Sequence, residues 1–119
     1  MIALADIDYT GPARPVDGYG PGFFRIEGKV RRGPLLLTPE GPRPWSGWDD
    51  RAPLLALAGQ VDVLLLGMGR AMTYPDTALV AALEAAGIGV EPMDSPAAAR
   101  TWNMLLAEGR RVGAALIPV

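Results

Sequence analysis

Histidine and cysteine are both missing from these 119 residues. Without an imidazole there can be no Ser-His-Asp triad, no His-Glu-x-x-His zinc site and no histidine acid/base step. Without a thiol there is no disulfide, thiolate nucleophile, Cys-ligated zinc or iron-sulfur cluster, and sulfur redox chemistry is left to five methionines. Metal catalysis is therefore disfavoured, and no cofactor is indicated. An uncharged apolar run of the ~18 residues that a membrane span requires is also lacking. The start, Met1-Ile2-Ala3-Leu4-Ala5-Asp6-Ile7-Asp8, has no basic segment leading into a long apolar core, so the expected location is the cytoplasm, with no membrane span. An excess of charge is absent too. Eleven basic and thirteen acidic residues leave a net charge of −2, which removes any global pull toward nucleic acid or an anionic membrane.

What is present is an ordinary globular composition, 50% hydrophobic and 20% charged. The length suits one domain, spanning residues 1–119, that buries roughly two thirds of the surface of its unfolded chain. The front half is dense in proline, with Pro12, Pro15, Pro21, Pro34, Pro39, Pro42, Pro44 and Pro53, which excludes long helices and leaves short strands and turns. Residues 23–30 alternate in part, and Leu35-Leu36-Leu37 follows the Gly33-Pro34 turn signal. Together they predict a hairpin, with residues 2–9 as a further strand. Trp45 and Trp48 admit two readings, a cap on the core beneath a loop or a wall on which a ligand stacks.

The back half changes rhythm. Asp49 or Asp50 can cap a short helix with Pro53 in its first turn, ending at Gly59. Residues 61–66 form a nearly continuous apolar run, as in a central strand covered on both faces. Asp76 or Thr77 starts a helix with Leu79, Ala82, Leu83 and Ala86 on one face, and Gly87 stops it. Residues 88–93 make the next strand. Ser95-Pro96 reads as an N-cap followed by a first-turn proline, Gly109 ends that helix, and residues 112–119 close the sheet. Strand, helix, strand, helix, strand at this spacing implies right-handed crossovers and a parallel core.

Several polar residues gather at the seams. Gly67-Met68-Gly69-Arg70 leaves the carboxyl end of the central strand, where open parallel sheets form ligand crevices. A dinucleotide fingerprint would need a third glycine where Met72 stands. Asp94 and Ser95 open onto the same edge and either cap the helix or contribute acceptors and a hydroxyl to a ligand. On the helix over residues 96–108, Ala98, Trp102, Leu105 and Leu106 form the inward stripe, Arg100 lies opposite, and Thr101 and Glu108 share a flank. Arg100 is either a solvated charge or a guanidinium for a carboxylate or phosphate. Arg110-Arg111 either complements the helix dipole or joins Arg100 in an anion-binding patch, and Arg31-Arg32 is a second small basic cluster. Neither cluster has the interleaved aromatics of a nucleic-acid surface.

Residues 93–116 resemble a small Mth-type domain family of unknown function, which includes the mitochondrial NADH dehydrogenase (complex I) assembly factor 3 and the adipogenesis-associated Mth-type domain proteins. The resemblance rests on Met93-Asp94-Ser95, Ala98, Arg100-Thr101, Asn103, Leu105-Leu106, Glu108-Gly109-Arg110-Arg111-Val112 and Ala115-Leu116. Looser likeness covers Gly22-Phe23-Phe24-Arg25-Ile26, the Trp45 region and Leu64-Leu65-Leu66-Gly67-Met68-Gly69. The family usually carries Thr at Met68, often Cys at Ala99, and Tyr at Trp102. The resemblance implies an α/β domain of three layers, with a central mixed, mostly parallel sheet, helices and an additional β-hairpin layer. It also implies a role in the biogenesis of membrane respiratory complexes for the mitochondrial relatives. The function expected here is a non-enzymatic protein-interaction or assembly-factor domain. The alternative is a small-molecule or anion-binding protein, or weak enzyme, with a pocket at the carboxyl ends of the strands. The ligand-binding set for that pocket is Gly67, Gly69, Asp94, Ser95, Arg100, Thr101, Asn103, Glu108, Arg110 and Arg111. Oligomeric state is left open.

Overall fold

A computed structural model describes Tyr9 and residues 11–119. The strand expected over residues 2–9 falls outside the described residues except for Tyr9, which has no regular secondary structure. Three strands, β1 (Val16–Gly20), β2 (Phe23–Ile26) and β3 (Lys29–Arg32), form an antiparallel meander. Its second turn consists of Glu27 and Gly28, both in left-handed backbone conformation at φ 51° and 76°, as a two-residue hairpin turn requires. Asp17 accepts the Gly28 amide at 2.9 Å and fixes the turn.

The expected hairpin between residues 23–30 and Leu35-Leu36-Leu37 is corrected by this pairing. The tight Glu27-Gly28 turn folds β2 back onto β3, and the chain crosses at Gly33-Pro34 into a second sheet. There β4 (Leu35–Thr38) is buried at all four residues, a burden that only a strand covered on both faces can carry. The second sheet adds β5 (Gly41–Pro44), β6 (Val63–Gly67), β7 (Gly89–Met93) and β8 (Val112–Leu116), in the order β5-β4-β8-β6-β7. It is mixed, antiparallel where β8 and β5 flank β4 and parallel where β8 and β7 flank β6.

Strand alternation builds a core on each face of this sheet. Leu35, Leu37, Leu65, Ala114 and Leu116 point toward α3 (Ser95–Ala107) and the meander, where they meet Trp102, Phe24 and Ile26. Leu36, Leu64, Leu66 and Ala115 point the other way, toward α1 (Ala52–Leu55) and α2 (Thr77–Ala85), where they meet Leu54, Leu79 and Leu83. Three layers result. Trp45 is buried in the second core, donates its indole N–H to the Asp50 carbonyl at 2.8 Å, and meets Trp48 edge-on at 4.8 Å between ring centroids. The pair therefore takes the core-capping role.

Two helix caps differ from expectation. Arg51, not Asp49 or Asp50, occupies the N-cap of α1, because the Asp50 carboxylate is bound to the Ser46 amide. Asp94, not Ser95, caps α3 by accepting the Ala97 amide at 2.8 Å, and Ser95 becomes the first helical residue. At α2 the cap is Asp76, as expected, and Arg51 pairs with it at 2.6 Å.

Candidate functional site

The Gly67 to Gly69 turn lies at the carboxyl end of β6, against the first turn of α3. There the Ser95 hydroxyl accepts the Gly69 amide at 2.8 Å and donates to the Ile117 carbonyl, while the Ser95 amide donates to the Gly69 carbonyl at 2.8 Å. Ser95 is fully buried. A Cβ on Gly67 would stand 2.8 Å from Leu116 Cδ2 and 2.9 Å from Ser95 Oγ. Glycine is therefore needed here for the protein's own packing, and Ser95 fills the space beside it. Asp94 is engaged as the α3 cap, and Arg100 projects from the exposed side of the helix.

Asn103 is drawn into the fold as well. Its side-chain carbonyl accepts the Val16 amide at 2.7 Å and its amide donates to the Val16 carbonyl at 2.9 Å, so it completes the edge of β1 as a strand would. Trp102 adds an indole bond to the Arg14 carbonyl at 3.0 Å. These bonds pin the meander to α3.

The remaining candidates converge at the other end of the helix. Because α3 runs back against the strands it covers, its last turn stands over the amino ends of β6 and β8. Thr101, Arg110 and Arg111 line an open groove of about 410 Å³ there, with Val63 and Leu105 also lining it and Met104 beside them, 55% exposed. Arg110 and Arg111 also border a second cavity of about 250 Å³ beside Trp102, so the pair forms a ridge between the two. Arg111 donates to the Gly59 carbonyl at 2.9 Å and lies 3.5 Å from Asp62, and Arg110 lies 3.6 Å from Glu108. Both ion pairs are solvent-exposed and cost little to exchange for another carboxylate. Thr101 turns its hydroxyl to the Met93 sulfur at 3.6 Å. The groove thus combines apolar side chains with charges of both signs.

A family model described as a protein of unknown function (DUF498/DUF598) matches residues 16–117. This chain belongs to that family. Within the DUF498/DUF598 likeness, an uncharacterized protein of Rhodobacter capsulatus is 58% identical over 107 residues, covering 90% of this chain and 86% of that protein. The human NADH dehydrogenase [ubiquinone] 1 alpha subcomplex assembly factor 3 is 31% identical over 110 residues, which is 87% of this chain but 60% of the human protein. Among solved structures, a Mth938-like domain from Bordetella pertussis superposes with a TM-score of 0.73 at 32% identity, covering 88% of this chain and 85% of that one. An outer membrane protein from Bartonella henselae superposes with a TM-score of 0.81 at 34% identity, covering 92% and 98%. Among the described residues, no helix of this DUF498/DUF598 domain is long and apolar enough to cross a membrane.

The groove contains residues that sequence reading did not single out for a site, namely Asp62, Val63, Glu91 and Met104. Glu91 could have been found from its position as a charge within an apolar strand. Met104 carried only a weak signal, since it lies one helical step from the inward stripe.

Proposed function

We propose that this protein is a non-enzymatic interaction domain that serves as an assembly factor, and that the groove beside α3 grips its partner. The observation that carries this reading is the 31% identity shared with the human assembly factor across 87% of this chain. By that likeness the role extends to the biogenesis of membrane respiratory complexes, carried out from the cytoplasm. The chain spans 60% of the human protein, so the reading concerns the shared domain alone. Met104 is the natural anchor, an adaptable apolar side chain standing out between charged neighbours. A photo-reactive residue placed at position 104 should capture a subunit or intermediate of a respiratory complex, and Met104→Glu should lower the assembled complex seen on native gels. Assembly that is unchanged in the Met104→Glu strain would overturn the reading.

A second reading, binding of a small anion, is favoured by the loosely held Arg110 and Arg111 on the rim of the same groove. It moves the ligand from the carboxyl ends of the strands to the amino ends. Phosphate, nucleotides and dicarboxylates should then raise the melting temperature by mass action, and replacing both arginines with Ala should abolish the rise. No shift with any of them removes this reading.

A further inference from the structure

We propose that the outer edge of β3 takes up an extended acidic segment of a protein partner as a fourth strand of the meander. Ile26 and Lys29 bracket the two-residue turn, and the Gly33 amide bonds the Gly22 carbonyl at 3.0 Å. The ladder between those points leaves Val30 and Arg32 with their amide and carbonyl groups directed away from β2. The other sheet edges are blunted. β5 carries Pro42 and Pro44, β7 carries Pro92, and β1 is irregular between Val16 and Gly18 and held at Val16 by Asn103. Among the described strands, β3 is the edge with neither a proline nor a cover.

Charge selects what can pair there. Arg25 and Arg32 lie over the Phe23 ring at 5.7 and 5.9 Å, and among the described residues neither has a carboxylate within ion-pair distance. Among the described residues the Nε of Arg31 is buried with no hydrogen-bond partner, and its side chain borders an open cavity of about 460 Å³ that reaches Pro44 and Trp45. A carboxylate entering that cavity would meet a donor that is costly to leave unpaired. Lys29, Arg31 and Arg32 would repel the β3 of a second copy, so the edge is closed to self-pairing and open to a strand of opposite charge. Main-chain bonds would supply affinity, and acidic side chains on the two faces of the incoming strand, toward Arg25 and Arg32 on one and toward Arg31 on the other, specificity.

The test is nuclear magnetic resonance titration of the isotope-labelled full chain with a short Glu-rich peptide that carries carboxylates on both strand faces, such as Val-Glu-Glu-Val-Glu-Glu-Val. Chemical-shift changes and slowed amide exchange should appear at Val30 and Arg32. Affinity should fall about tenfold in Val30→Pro, which removes one outward donor, and similarly in the Arg25→Glu, Arg32→Glu double variant. The matching peptide with Lys in place of Glu should not bind. Three results would each overturn the proposal: equal binding of the Lys peptide, shifts confined to the α3 groove, or a response to anionic phosphatidylglycerol vesicles with none to the acidic peptide. Because the readout is local to β3, its failure leaves the groove beside α3 untouched.

Discussion

Ser95 shows how much one small side chain can hold. Its hydroxyl joins the turn after β6, α3 and the segment after β8 through one accepted and one donated bond, and the side chain itself is fully buried. Ser95→Ala leaves the buried Gly69 amide and the part-buried Ile117 carbonyl short of a partner, and about 1–3 kcal/mol of stability should be lost in urea unfolding. Gly67→Ala tests the same seam from the other side. Contacts of 2.8 and 2.9 Å at the added Cβ predict about 1–3 kcal/mol of overpacking. Asp76 supplies a pH signature. The Ala78 amide, and after it the Arg51 guanidinium, hold its carboxyl below the ordinary value of 3.8. A depressed carboxyl stabilises the fold above 3.8 and loses that contribution as pH falls through the lower folded value. Asp76→Asn should therefore narrow the stability difference between neutral and strongly acidic pH, as read from melting temperatures across that range.

At the scale of elements, α3 is both a wall of the core and the clasp of the meander. Asn103→Ala removes the pair of bonds to Val16, and hydrogen exchange in β1 should accelerate while β6 and β8 keep their protection. Exchange that rises equally in all three strands would show that β1 is not held separately. The helix itself was legible in the sequence, since its apolar stripe, its first-turn proline and Gly109 at its end all mark it. The role of Asn103 was not, because its partner lies 87 residues away and a side-chain amide carries no periodic signal. The same limit explains Ser95. A serine before a proline reads as a cap, and only the tertiary approach of Gly69 and Ile117 shows that the hydroxyl faces inward while Asp94 caps. The seam of β3 and β4 was misread because three consecutive leucines signal burial without saying in which sheet. Of the residues expected to share one pocket, Thr101, Arg110 and Arg111 do share a groove, and Gly67, Gly69 and Ser95 share an interior seam at the other end of the helix.

At the scale of the molecule, one sheet separates two cores, each of which, among the described residues, packs on its own face of the sheet. Leu64 and Leu66 serve one core and Leu65 the other, so neither can melt without releasing strands that the other requires. Unfolding should be a single cooperative transition, with coincident midpoints by tryptophan fluorescence and by far-ultraviolet circular dichroism. Separated midpoints would mean that the cores unfold independently. The strand order has a further consequence for the nascent chain. β8 follows every other described strand along the chain and yet lies between β4 and β6. Until residues 112–116 leave the ribosome, β4 with β5 and β6 with β7 are two unjoined ribbons, each with an apolar flank open to water. The arrival of β8, rather than early collapse, is thus the moment at which this sheet comes into being.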